Sequence, residues 1–424
     1  MRRKLQENIG RLEKIFHLLG LFIPLLMGVY VFVNPLPLTA LGEFCFYLSV
    51  LSLLILIGFK KTVFTLRSPL TLPFVLFFLW AVLGLIFTLD FDNTLHDLRT
   101  HQLNYLIVFY LLVNYFNSQK RFAILSVLVI SGATVSSLGT VISYYFIDGF
   151  PFSSRLGIGA NFRDMPCIYI GFITLPAIVL AFNRLQYSKT ITNTLLCALA
   201  VVVLVSTTLL TQSRGALFGF LAGLIILCFS NRKFIIVLIS VLILTLLVPG
   251  LTGRFDPERM IHDERNKTNH LAMEVFKLHP ITGVGFGMQI YTNPILVDLE
   301  KMNSQFPPEY RQAKVIAQPH NTIMDIAVRT GIVGLVLYSC ILFASFLLLW
   351  KTYRTTNNQY YRSWVFFLAA SYVSYLVPAL FTDTTFGARA IVFYILLAMI
   401  TILWNLVRKE ESLEVIPSLR MRLE

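Results

Sequence analysis

Charge is scarce in this chain. Only 13% of its 424 residues are Asp, Glu, Lys or Arg, where a soluble domain carries about a quarter, so a water-facing surface of ordinary extent is excluded. Acidic residues are the scarcer kind, 22 against 35 basic. Nowhere do they gather into the Asp-rich cluster typical of a Mg²⁺ site. Asp90-Phe91-Asp92 and His262-Asp263-Glu264 come nearest, and each reads as a solvated loop. Cysteine is sparse too. Cys45, Cys167, Cys197, Cys228 and Cys340 all lie within or at the edge of apolar runs, which leaves no disulfide framework and no cysteine metal site in a polar segment. What fills the chain is apolar: 56% hydrophobic residues, 36 of them Phe, and a mean hydropathy of +0.72. Most of the surface is suited to lipid.

Apolar runs occur near 15–33, 38–58, 70–89, 103–117, 122–147, 165–183, 191–210, 215–230, 233–250, 322–350, 362–382 and 387–407. A crossing needs roughly 20 residues, so the fourth run is short, but removing it breaks the charge pattern. The expected fold is therefore all-α, a polytopic membrane bundle of about twelve transmembrane helices. Residues 1–250 supply nine spans, 251–321 a long polar loop, and 322–424 the last three spans and a tail. The basic start leads into an apolar run too long for a signal-peptide core and without a small-residue cleavage site, so it reads as a retained helix.

With both termini cytoplasmic, the segments on that side carry 21 basic residues, and the short loops opposite carry five. Short loops are the ones whose Lys and Arg set orientation. The formal net charge of +13 is then mostly topology rather than a nucleic-acid surface. The five exceptions are Arg99, Arg155, Arg163, Arg214 and Arg389, with no lysine among them. Each could be an interfacial side chain or half of an ion pair. Collected on one face, however, they suit bidentate capture of a lipid-linked phosphate or pyrophosphate.

The 251–321 loop is too polar to span. Asp256-Pro257 reads as a helix start, with a helix running to about Leu278 and Leu271, Val275 and Leu278 on one stripe. His279-Pro280 ends it. Gly283-Val284-Gly285-Phe286-Gly287 follows without the strand and opening helix of a nucleotide loop, and a tight turn against the membrane surface is expected instead. Asn293-Pro294 reads as the start of a second short helix through about Met302, and Pro307-Pro308 as a break. The loop returns through Gln318-Pro319-His320-Asn321 at the head of the tenth span. A helix N-terminus disfavours imidazolium, so His320 is placed to accept a proton, or more simply to cap or sit at the interface.

Three segments resemble the O-antigen ligase and polymerase superfamily of polysaccharide-assembly membrane enzymes, and the ligases most closely. His320-Asn321 followed by Gly331 and Gly334 is similar to the ligases' loop-end pattern. Arg265, His279-Pro280 and the Gly-Val-Gly run are similar to the superfamily's loop helix and the turn after it, and Gln212-Ser213-Arg214-Gly215-Ala216 to its Ser-Arg-Gly turn. One departure is Asn269-His270, where the family commonly has Trp or Tyr; the expected effect is on packing rather than chemistry.

The resemblance implies transfer of a glycan from undecaprenyl pyrophosphate to a lipid A–core sugar hydroxyl, at the periplasmic face of the bacterial inner membrane. It implies His320 as base, Arg214 and Arg265 as the main pyrophosphate clamps, and Arg155, Arg163, Arg389 and Asn321 as further substrate contacts. No cofactor and no metal are expected. A retaining route would need a carboxylate nucleophile, for which Asp325 is the one candidate, and Asp325 could equally serve the helix dipole or pair with Arg329. The alternatives are a polymerase of the same superfamily and a twelve-span transporter. Transporter halves are usually related and joined at the centre, whereas the long loop here follows span nine.

Overall fold

The computed structural model describes residues 2–157, 167–247, 264–315 and 319–420. Among the described residues it is helical without strands. In chain order the helices are α1 (Arg2–Val33), α2 (Thr39–Gly58), α3 (Thr71–Leu83), α4 (Phe91–Asp97), α5 (Asn104–Tyr115), α6 (Gln119–Val141), α7 (Cys167–Gln186), α8 (Ile191–Leu210), α9 (Arg214–Ser230) and α10 (Phe234–Leu247). The polar loop contributes α11 (Glu264–Leu278) and α12 (Leu299–Gln305), and α13 (Thr322–Thr355), α14 (Gln359–Ala379) and α15 (Gly387–Arg420) complete the bundle.

Each apolar run of the sequence falls on a helix. Among the described residues, seven helical stretches are long and apolar enough to cross a membrane: Leu12–Val33, Thr39–Gly58, Gln119–Ile147, Tyr169–Gln186, Ile191–Leu210, Thr322–Thr355 and Gly387–Ser412. Thr71–Ile86, Arg214–Ser230 and Phe234–Leu246 are shorter apolar helices. The short fourth run has a structural explanation. A π-helical turn, Leu98–Leu103, joins α4 to α5, so the backbone is helical without a break over 91–115.

Hydrogen bonds between connecting segments sort the helix ends into two groups. At one end Asn34 donates to the Ala388 carbonyl, Ser136 to Pro35, Arg155 to Thr211, and Leu89 N–H to Val284. The Arg155 loop thus lies against the C-terminal end of α8, and the polar loop against the segment after α3. At the other, Thr65 pairs with Asn114, Arg121 with the Tyr115 carbonyl, and Asn358 with Glu410.

Two glycine-dependent contacts hold the functional end together. On α9, a Cβ at Gly219 would lie 2.6 Å from the Ser374 carbonyl oxygen and 2.7 Å from Pro378 Cδ, so α14 lies against the α9 backbone, in the manner of small-residue membrane helix contacts. On α13, Gly331 (φ 67°, ψ −173°) interrupts the helix, a backbone conformation essentially restricted to glycine.

The polar loop packs as a small layer of its own on α13. Leu271, Ala272, Val275, Val284, Ile290, Val297 and Leu299 bury together with Val328 of α13. The expected α11 stripe holds at Leu271 and Val275 but not at Leu278, which is the last helical residue and 62% exposed. The second loop helix begins later than the sequence suggested. Asn293 turns its side chain onto Ile295 N–H and its carbonyl onto Leu296 and Val297, closing a turn that does not propagate. Asp298 caps the real helix by accepting from Lys301 N–H. The expected start at Asp256-Pro257 lies outside the described residues.

Candidate functional site

The glycine-rich run is a splice between the loop and the bundle. The break at Gly331 leaves backbone carbonyls of α13 without helical partners, and the loop supplies them. Val284 N–H donates to Val328 O at 2.9 Å and Gly285 N–H to Arg329 O at 3.1 Å, while Ile332 N–H donates to Pro280 O at 2.8 Å. On its other side the run meets α4. Gly287 N–H donates to Thr94, Met288 N–H to the buried carboxylate of Asp97 at 2.6 Å, and Gln289 N–H to Asn93. The expected tight turn is present, and its backbone is committed to protein partners rather than to a phosphate.

Arg329, two residues before the break, ties three segments together. Its guanidinium lies between the rings of Phe286 and Phe386, 4.3 Å from each centroid, and donates through Nε to the Phe286 carbonyl at 2.9 Å. Nη1 reaches Asp325 at 3.4 Å and Thr385 at 3.2 Å, and Thr385 donates to Asp325 at 2.7 Å. Asp325 is thus the partner of Arg329, its carboxylate engaged and buried. That arrangement favours the structural role over a nucleophilic one, because a buried pair that loses one member leaves an uncompensated charge. Tyr291, in the loop layer beside Asp325, has a buried hydroxyl without a hydrogen-bond partner among the described residues. Burial first, and Asp325 second, raise its pKa, so it stays protonated, a hydroxyl that can both donate and accept.

Two turns that carry sequence-predicted residues meet the segment between α14 and α15. Gly215, next to Arg214, faces Phe381 and Pro378 at 3.5–3.7 Å from its would-be Cβ. Thr322, two residues past His320, donates to the Thr382 carbonyl at 2.8 Å and lies 3.0 Å from the Thr384 hydroxyl. The Arg214 turn and the His320 turn therefore abut consecutive residues of one corner. Ser213 caps α9 by accepting from Ala216 N–H, and Gln212 takes a positive φ of 48° to make the turn. Arg155 lies against the same turn, donating through Nε to Thr211 O at 2.8 Å.

Other expected contacts are already engaged. Arg389 is held by Asp383 at 3.2 Å and lies 3.4 Å over the Tyr169 ring. Asn321 caps α13, its side-chain oxygen accepting from Ile323 and Met324 N–H. Arg265 stands in the first turn of α11, and Arg163 lies outside the described residues. Sequence reading missed Asp383, Thr385 and Tyr169. A buried aspartate six residues before an arginine was the available signal for the first; the other two carry none. Among the described residues no group of three His, Cys, Asp or Glu could hold a metal ion.

Comparison with known proteins covers part of this site. Residues 199–339 match the family model described as O-antigen ligase, a stretch that takes in the Arg214 turn, the polar loop, His320 and the Gly331 break. A protein of Rickettsia typhi provisionally named as a polysaccharide ligase is 24% identical over 269 residues, which is 57% of this chain. The chain spans 62% of the length of that curated relative. The family that matches and the family that the motifs resemble are the same.

Proposed function

We propose that this protein is a membrane glycosyltransferase of the O-antigen ligase type. It moves a glycan from undecaprenyl pyrophosphate to a sugar hydroxyl of lipid A–core at the periplasmic face of a bacterial inner membrane. The observation that carries the reading is the meeting of the Arg214 turn and the His320 turn at the Phe381–Thr382 corner, both within the stretch that matches the family model.

In this reading His320 takes the proton of the acceptor hydroxyl. The freed oxygen attacks the anomeric carbon, the bond from that carbon to the pyrophosphate oxygen breaks, and lipid pyrophosphate leaves with the electron pair. One displacement inverts the anomeric centre. Arg214 and Arg265 neutralise the leaving pyrophosphate, a task for which a planar guanidinium offers paired donors. Arg155 and Arg163 are secondary contacts. Arg389 and Asn321, committed to Asp383 and to the α13 cap, act on the substrate only indirectly. Arginines take the place of a metal. Both termini lie in the cytoplasm.

The test is transfer by the purified full chain from lipid-linked glycan, with lipid A–core as the sole acceptor. A positioned base contributes about 10²–10⁴-fold, so His320→Ala lowers the rate by at least that lower factor while donor binding persists. The wild-type rate rises with pH through one ionisation that the variant lacks. Near-native turnover in His320→Ala, or loss of donor binding as complete as in Arg214→Ala, removes His320 from the role of base. Chain growth only when a second lipid-linked glycan is supplied identifies a polymerase instead.

A further inference from the structure

Beside the α13 N-terminus lies a pocket of about 570 Å³ that none of these roles uses. Its wall is Asn266, Lys267, Asn269 and His270 of α11, facing Glu309 and Tyr310 of the short turn Pro308–Tyr310. We propose that this pocket is a saccharide seat, holding one sugar unit of a substrate against the turn that carries His320. The proposal rests on the glycosyltransferase reading and adds where the sugar sits.

Its size falls within the range of roughly 300–1,000 Å³ usual for small-molecule sites. The chemistry of the lining selects the ligand. Lys267 is already paired with Glu264 at 2.9 Å, and Glu309 adds a further carboxylate. The wall therefore holds no surplus positive charge and does not favour a pyrophosphate. Carboxamides, a carboxylate and an imidazole are instead a set that both donates and accepts, as neighbouring sugar hydroxyls require. Met273 and Met324 supply apolar surface, and the His270 and Tyr310 rings meet edge to face, 4.9 Å apart. Together these suit the C–H face of a pyranose.

A second observation points to a ligand. The Asn269 carboxamide oxygen is buried and accepts no hydrogen bond among the described residues. Such a group costs stability unless something fills its bonding capacity. Position completes the case. Met324 lies in the first turn of α13, whose cap Asn321 directly follows His320, so a sugar seated here borders the base.

Acceptor core and donor glycan share this chemistry, and kinetics separate them. The full chain in detergent is titrated with core oligosaccharide freed of lipid A, and separately with glycan freed of its pyrophosphate lipid, and saturation-transfer NMR reads binding. The same titrations are made on Asn269→Ala, Tyr310→Ala and His320→Ala. A lost hydrogen bond is worth roughly three- to tenfold. Asn269→Ala should weaken binding and raise the KM for one substrate by that factor with kcat held. A raised acceptor KM assigns the seat to the core sugar, and a raised donor KM to the glycan. His320→Ala should lower transfer at least about 10²-fold and leave saccharide binding intact. If wild type transfers glycan yet neither seat variant alters either KM or oligosaccharide binding, the seat is refuted. If wild type binds oligosaccharide through Asn269 but never transfers, the seat stands and the transferase reading falls.

Discussion

Replacing Gly331 by alanine should separate the polar loop from the bundle without touching any residue assigned to chemistry. The backbone at Gly331 (φ 67°, ψ −173°) costs a non-glycine residue about 1–3 kcal/mol. The new methyl would also collide with the Ile281 carbonyl and come within 2.6 Å of Thr282 N, so the strand of loop beside it must move away. That displaces the three splice hydrogen bonds of Ile332, Val284 and Gly285, each worth about 0.5–1.5 kcal/mol. The total is roughly 2.5–7.5 kcal/mol if all three are lost. It is concentrated at the loop, because the other packing of α13 is untouched. Hydrogen exchange by mass spectrometry is the assay. Peptides covering 280–287 and 328–334 should lose protection while those of α7 and α14 keep theirs, and transfer should fall about tenfold or more. Gly20→Ala is the control, since nothing lies within 4 Å of its would-be Cβ and alanine is favoured in a helix interior. Native protection of 280–287 in Gly331→Ala would mean that the splice does not hold the loop.

Three further outcomes are expected. Single cysteines at Lys60, Gln186 and Asn357 should resist an impermeant thiol reagent in intact cells, whereas those at Asp92, Ser154 and Ser304 should react; labelling at Asn357 without lysis overturns the twelve-span arrangement. Thr94 and Thr356 are unsuitable for this test because both are buried. Arg214→Lys and Arg265→Lys keep charge but lose the planar fork, so each should lower transfer markedly at unchanged expression; native rates in both would make these arginines structural. Dialysis against a strong chelator should leave transfer intact, and a loss restored by Mg²⁺ or Mn²⁺ would refute pyrophosphate neutralisation by arginine alone.

Hydropathy was enough to place the apolar runs on helices, because a membrane leaves a chain few alternatives to helix for satisfying its backbone. The turns that carry Arg214 and His320 were legible for another reason: each lies at the head of a helix and carries a local pattern. What the sequence concealed was partnership at a distance. Asp325 and Arg329, four apart on one helix, could be read as a pair. That the same guanidinium lies between Phe286 and Phe386 depends on a loop and a helix meeting across the Gly331 break, and no local pattern records it. Arg389 is the converse case. Its place on the disfavoured side of the charge pattern marked it as a substrate clamp, yet Asp383 and Tyr169 already hold it. The charge rule identifies residues retained against topology, and does not say whether substrate or protein retains them.

The choice between Asn293 and Asp298 shows where local signals run out. Both are good caps, and Pro294 favours a helix after the first. The outcome was decided by burial. Val297 and Leu299 are both in the loop core, 5% and 6% exposed, with Leu299 as the first residue of α12. A helix begun at Asn293 would put these two residues about 200° apart around its axis, and only one of them could face Val275 and Val328. The turn at 293–297 lets both bury. Capping energies of about 1 kcal/mol are smaller than the roughly 1.5–3 kcal/mol of burying one such side chain, so the core sets the helix start.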